Sequence, residues 1–293
     1  MPNNPLSAGT LYLVATPIGN LSDLSARARE VLAAADLIAC EDTRTTRPLL
    51  AANGITAKTV ALHEHNERAA RAKLLAILAS GQNVALVSDA GTPAISDPGA
   101  LVVEAAHAAG IRVVPVPGAN AAVTAFSASG FLTDRFVFAG FLPASSGARR
   151  KALAGLNVPC PVILYEAPHR ILDMVDDLCS VFGVVRELVI ARELTKKFEE
   201  IARMPLGAAR TWIEANPHRQ QGEFVLVLGP QPIVEKEDDA QTDRMLRILL
   251  EELSVSEAAR VAARITGGSK NALYRRALAL SDSAGTNVPA EPM

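Results

Sequence analysis

At 293 residues the chain exceeds the usual size of one domain, and it is 49% hydrophobic but only 4% aromatic, a mix that suits Ala-rich helices packed on Val/Ile/Leu strands. A formal charge of −2 excludes a global basic field, so any nucleic-acid contact must come from local patches. Three scattered cysteines without a CxxC pair argue against a disulfide framework or a zinc cluster. No apolar run reaches the ~18 residues of a membrane span and no charged-then-apolar leader opens the chain, so the expectation is a soluble, cytoplasmic protein.

Five apolar runs in the first 120 residues each break into a polar turn. Leu11 to Ala15 leads into Thr16-Pro17-Ile18-Gly19-Asn20, and Leu37 to Ala39 leads into Glu41-Asp42-Thr43-Arg44. Thr59 to Leu62 leads into His63-Glu64-His65-Asn66. Val84 to Val87 leads into the loop Ser88–Gly99, and Val113 to Val116 into Pro117-Gly118-Ala119-Asn120. Between these runs Ser25 caps a helix with Ala28, Val31, Leu32 and Ala35 on one face. Asn66 caps a second helix that Gly81 ends, and a third fits 99–109. Strand–helix alternation with short loops predicts right-handed βαβ units and a parallel sheet. All five turns then lie along one sheet edge, where open α/β sheets bind ligands.

The pattern changes near 118–135. A helix of small residues, Ala121 to Ala128, is followed by strands at Phe136–Phe141, Val162–Tyr165, Leu188–Arg192 and Phe224–Leu228, with helices at 169–182 and 206–215. Hairpin-length connections around 193–205 predict a mixed sheet. The resulting division is 1–118 as a parallel α/β domain, 119–230 as a mixed α/β domain, and 231–242 as an acidic linker. A helical tail follows over 243–281, with helices at 243–253, 256–265 and 270–280 and Ser269 capping the last; 282–293 reads as disordered.

No GxGxxG follows the first strand and no GxxxxGK[ST] occurs, so neither a nicotinamide nor an NTP fold is supported. Asp89 and Asp97 would repel phosphate. Their loop suits hydroxyls, amines or a cationic ligand instead. His63 and His65 share one strand face, yet no third ligand accompanies them, so no metal is expected.

Eight stretches run in order through nearly the whole chain: LYLVATPIGNLSDLSARA (11–28), ACEDTRTT (39–46), HEHNE (63–67), ALVSDAGTPAISDPG (85–99), VVPVPGANAAVTAFSASG (113–130), YEAPHR (165–170), ARELTK (191–196) and KNALYRRAL (270–278). On these the sequence resembles the bacterial small-subunit rRNA cytidine 2′-O-methyltransferases, within the tetrapyrrole methylase-like superfamily. The resemblance implies two α/β domains with S-adenosylmethionine in the cleft between them, usually in a homodimer. It implies a cofactor site at Pro17, Ser88, Asp89, Ala90, Gly91 and Thr92, walled by Pro117, Gly118 and Ala119 and closed by Tyr165 and Glu166. Partners would be 16S rRNA or the assembled small subunit, with no membrane.

Methyl transfer to a ribose hydroxyl calls for positioning and for a group that takes its proton. Glu41, Asp42, Glu166, His169 and Lys196 are the candidate bases carried on the matching motifs, with the role unassigned among them. Arg44, Arg170 and Arg192 read as phosphate clamps, and His65 as a substrate contact. Arg149 and Arg150 follow a flexible Ser145-Ser146-Gly147. Residues 254–281 carry five basic side chains, among them Arg264, Lys270 and Arg275, against one acidic, so these two patches are the expected RNA surfaces. Two rival expectations are a C-methylase of a tetrapyrrole ring, which needs no basic patch, and a non-catalytic ribosome-binding module.

Overall fold

Alternation along the first five strands decides the first half of the fold. In the computed structural model, which describes residues 8–63, 66–231 and 239–284, these are β1 (Thr10–Val14), β2 (Leu37–Cys40), β3 (Thr59–Ala61), β4 (Val84–Val87) and β5 (Arg112–Val116). They form one all-parallel sheet in the order β3-β2-β4-β1-β5. Tyr12, Val14, Ile38, Cys40, Ala85 and Val87 pack on one face against α1 (Ala26–Ala34) and α2 (Thr43–Ala52). Leu11, Ala39, Val84 and Leu86 pack on the other against α3 (Glu67–Ala79) and α4 (Ala100–Ala108). Burial on both faces explains why these strands read as continuous apolar runs.

The Ser25 hydroxyl accepts from Ala28 N and caps α1 as expected. Asn66 sits at the N-cap position of α3 but does not cap it. Its side chain accepts from His63 N and donates to Ala61 O, tying the end of β3 to the helix instead. Helix α2 has no counterpart in the sequence reading: Pro48 lies inside it and three threonines weaken its helical pattern.

The second sheet is mixed, as predicted. It comprises β6 (Val137–Phe141), β7 (Val162–Glu166), β8 (Glu187–Arg192), β9 (Glu200–Pro205) and β10 (Phe224–Leu228), ordered β6-β7-β10-β8-β9, with only β6 and β7 parallel. One face is covered by α6 (Ser146–Ala154), α7 (Ile171–Phe182) and α8 (Leu206–Glu214) through Leu153, Met174, Leu178 and Ile213. The other meets α5 (Ala121–Ser127), together with Ile18 from the first half and Leu194. The stretch 145–147 is thus the start of α6 and not a flexible lead to a basic patch.

The chain divides after Gln231 into two compact units. The second holds α9 (Asp239–Glu252), α10 (Val255–Thr266) and α11 (Lys270–Ala284) around Leu246, Ala259, Ala262, Leu273 and Ala277. Ser254 and Glu257 form a reciprocal capping box on α10, and Gly267 closes it in the left-handed region. Because α11 runs to Ala284, the segment read as disordered begins three residues too early; 285–293 and most of the acidic linker, 232–238, lie outside the described residues. Among the described residues no helix is long and apolar enough to cross a membrane.

Candidate active site

Parallel pairing of β1 with β4 brings their following loops side by side. Thr16 N donates to Gly91 O at 2.9 Å and Gly91 N to Thr16 O at 3.0 Å, with Gly91 at φ +88°, a conformation only glycine adopts freely. The Thr16 hydroxyl donates to Ser88 O, and Thr92 donates to Ala119 O, so three strand-end loops form one wall. Across from it, the Tyr165 hydroxyl accepts from Ala122 N at 3.1 Å, and its ring lies edge-on to Phe138 and Phe141. Between the two walls lies a cavity of about 410 Å³.

Of the expected cofactor residues, Asp89, Ala90, Gly91, Thr92, Tyr165 and Glu166 line this cavity. Ser88 is 2% exposed, with its hydroxyl among Gly91 O, Ala90 O and the Asp97 carboxylate; with Pro17 it lines a smaller neighbouring pocket. Pro117, Gly118 and Ala119 stand behind the wall, and Asn120 and Ala121 take their place on the lining. The sequence reading missed Leu194, Glu223 and Val225 as lining groups, and placed Asp97 on a ligand loop without assigning it to the cofactor. Asp97 lies in the quoted 85–99 stretch and was legible there. Glu223 precedes β10 and reaches the site only through antiparallel pairing, for which the sequence carries no signal.

The electrostatics are acidic. Burial, with Glu41 and Asp89 nearby, pushes Asp97 up to about 6 against a hydrogen bond from Ser88. Burial also raises Glu41, Glu166 and the Tyr165 phenol. Glu166 is 2% exposed; its Oε1 accepts from Ala167 N at 2.8 Å and faces Arg170, while Oε2 is buried with no partner among the described residues. The side chain is fully buried, so it braces the wall behind the cavity and offers no acceptor to a ligand.

Two candidate bases are corrected. Asp42 caps α2 and is gripped by Arg44, which holds its carboxyl down at about 2, too acidic to accept a proton readily. Lys196 donates to Glu193 at 2.8 Å and to Glu223 at 2.9 Å; burial alone would lower its pKa, but these two partners win and raise it, so it stays a cation. His169 is exposed in the turn Pro168–Arg170 and does not line the cavity.

The proposed phosphate clamps fare unevenly. Arg149 is 2% exposed and paired with Asp177 at 2.6 Å, so it is a core ion pair and not a surface contact. Arg150 joins the same carboxylate from a half-exposed position. Arg170 donates to Leu142 O and Pro143 O, and Arg192 is buried and donates to Gln221 O; both brace backbone. Arg44 is 88% exposed at its side chain, and Arg264, Lys270 and Arg275 are exposed on the C-terminal helices. His65 lies outside the described residues. Among the described residues no three His, Cys, Asp or Glu side chains gather as metal ligands.

A family model described as Tetrapyrrole (Corrin/Porphyrin) Methylases matches residues 10–210. The chain belongs to that family. A second model, the RsmI C-terminal HTH domain, matches 236–281 of this methylase. It is 50% identical over 93% of its length to a protein of Escherichia coli O157:H7 named ribosomal RNA small subunit methyltransferase I, and covers 96% of that protein. A Pseudomonas aeruginosa protein of the same name is 49% identical, with 93% and 98% of the two chains covered. Among solved structures, a uroporphyrin-III-C-methyltransferase of Thermus thermophilus shares the fold at a TM-score of 0.54 and 23% identity, over 75% of this chain and 94% of that one. Another from that organism, complexed with S-adenosyl homocysteine, aligns at 0.52 and 18% identity, over 75% and 97%.

Proposed function

We propose that this methylase transfers a methyl group from S-adenosylmethionine to the 2′-hydroxyl of a cytidine ribose in the decoding region of 16S rRNA. It would act as a cytoplasmic homodimer on naked rRNA or the assembled small subunit. What carries the reading is half-identity, end to end, with relatives named for small-subunit rRNA methylation. The cavity fits the cofactor. Asp89 and Asp97 offer negative charge to a sulfonium and an ammonium, and Ile18, Leu194 and Val225 an apolar wall to adenine.

When bound, the cofactor supplies a methyl already activated by its sulfonium. The chain's own residues then hold the reacting groups in line and keep water out, which supplies much of the barrier reduction. Removal of the hydroxyl proton falls to a carboxylate that lines the cavity and whose proton affinity has been raised, Asp97; of the sequence candidates, Glu41 lines neither pocket and the Glu166 side chain is fully buried. Positive charge on Arg44 and on the C-terminal helices suits an RNA backbone.

Labelled S-adenosylmethionine and small subunits from a strain lacking this protein test the reading. Label in an alkali-resistant dinucleotide is expected, because a methylated 2′-hydroxyl blocks cleavage at that bond. Label in ordinary mononucleotides would mean base methylation and overturn the chemistry.

A further inference from the structure

Beside the cofactor cavity lies a second pocket of about 270 Å³ at the start of α2, and Asp89 lines both. Leu21, Pro17 and Leu49 give the second pocket apolar faces, while Asn20, Thr45 and Asp89 give it polar edges. Asp89 Oδ1 accepts from Asp42 N at 3.1 Å and from the Thr45 hydroxyl at 2.6 Å, which fixes the carboxylate; among the described residues Oδ2 is left for another donor. Arg44 and Arg47 are exposed on the helix that forms one side of the pocket.

An RNA duplex is too wide for a recess of a few hundred cubic ångströms, so a ribose reaching the methyl donor must arrive on an unstacked single-stranded nucleotide. Its base then needs a place of its own, with stacking faces and edge partners. The pocket that shares a wall with the cofactor cavity supplies both. We propose that this pocket holds the base of the target nucleotide, a pyrimidine with an exocyclic amine. The base lies between Leu21 and Leu49, and its amine donates to Asp89, the acceptor that suits cytosine. The ribose spans Asp89, with its 2′-hydroxyl turned to the first cavity, and Arg47 holds a flanking phosphate. The inference rests on the rRNA reading above and adds to it the site that selects the nucleotide.

The test uses the full-length protein. Leu21 is 57% exposed, so Leu21→Trp fills the pocket without disturbing the core. We expect S-adenosylmethionine affinity by calorimetry within about twofold of wild type, and kcat/KM for subunit methylation down at least about tenfold. Arg47→Ala, outside both pockets, is expected to raise KM for RNA about threefold to tenfold and to leave cofactor affinity alone. With wild-type protein, pyrrolocytidine at the target position of an RNA fragment should brighten on binding, as an unstacked base does. Wild-type methylation by Leu21→Trp would overturn the proposal. So would a parallel loss of cofactor affinity, which would give the pocket to the cofactor. Absence of methyl transfer by the wild-type protein would instead sink the rRNA reading itself, and this inference with it.

Discussion

The Glu166 side chain is fully buried behind the wall of the cofactor cavity, where its Oε1 accepts from Ala167 N and faces Arg170. Glu166→Gln keeps the shape but removes the buried charge that faces Arg170, so Tm should fall by several degrees. Cofactor affinity, read by calorimetry, should stay within about threefold of wild type, because the side chain presents no surface to the cavity. Asp97 gives a pH signature. Its proton is held up to about 6 by burial and by Glu41 and Asp89, with the Tyr165 phenol also nearby. A cationic ligand favours the ionised form, so affinity should drop as pH falls through about 6, and Asp97→Asn should flatten that curve. For the free protein the sign is opposite: the folded chain keeps a proton that the unfolded chain releases, so Asp97 favours folding more as pH falls from 6 toward 4. Arg149 makes a contrasting case. Asp177 is held below the carboxylate range because hydrogen bonds from Arg150, Ser146 and Arg149 outweigh its burial. Arg149→Ala would leave that buried charge to Arg150 and Ser146 and should cost up to about 3 kcal/mol in denaturant unfolding, against a smaller loss for the half-exposed Arg150→Ala.

At the scale of elements, backbone strain gathers around the site. Among the described residues, the non-glycine positions at positive φ are Ala94, Ser96, Glu193 and Thr195, all in the two loops that face each other across the cavity. Each costs on the order of 1–3 kcal/mol and needs its surroundings to impose it. For the first loop these are Glu67, whose Oε1 accepts from Gly99 N at 2.9 Å and Leu101 N at 3.1 Å, and Gly140 on the bulge of β6. Gly140 sits at φ +61°, and a Cβ there would come within 2.8 Å of Ser96 Oγ. Gly140→Ala should therefore lose about 1–2 kcal/mol of stability from its backbone alone and push the loop out of place, weakening cofactor binding severalfold. Adding Ser96→Gly should recover the binding but not the backbone share of the stability; recovery of neither would mean the loop is not held from β6. The strand-end loops were legible in the sequence because polar punctuation after an apolar run marks them, and β10 begins and ends where its pattern does. Helix α2 was not legible, since Pro48 and the threonines hide it, nor was α6, whose Ser-Ser-Gly start reads as a loop. Charge patterns misled for the same reason: Arg149 looks like surface until α7 brings Asp177 beneath it.

At the scale of the whole molecule, the first unit carries both sheets and every residue that lines the cofactor cavity, while 239–284 packs around its own small core. A chain ending at Gln231 removes none of the cavity's lining and strips no core residue from either sheet. It should fold and bind S-adenosylmethionine within about twofold of the full chain. Its loss includes Arg260, Arg264, Lys270 and Arg275, exposed cations in a stretch, 254–281, whose one acidic side chain is Glu257. Each phosphate contact on single-stranded RNA contributes about 0.7 to the slope of log affinity against log salt, so losing three or four should flatten that slope by about 2–3. Affinity at low salt would fall with it, and subunit methylation should become undetectable at substrate concentrations that saturate the full chain. A truncated protein that binds cofactor, keeps the full salt slope and still methylates subunits would place the whole RNA surface on 8–231. The basic face of α10 and α11 would then be no more than a solvated helix surface.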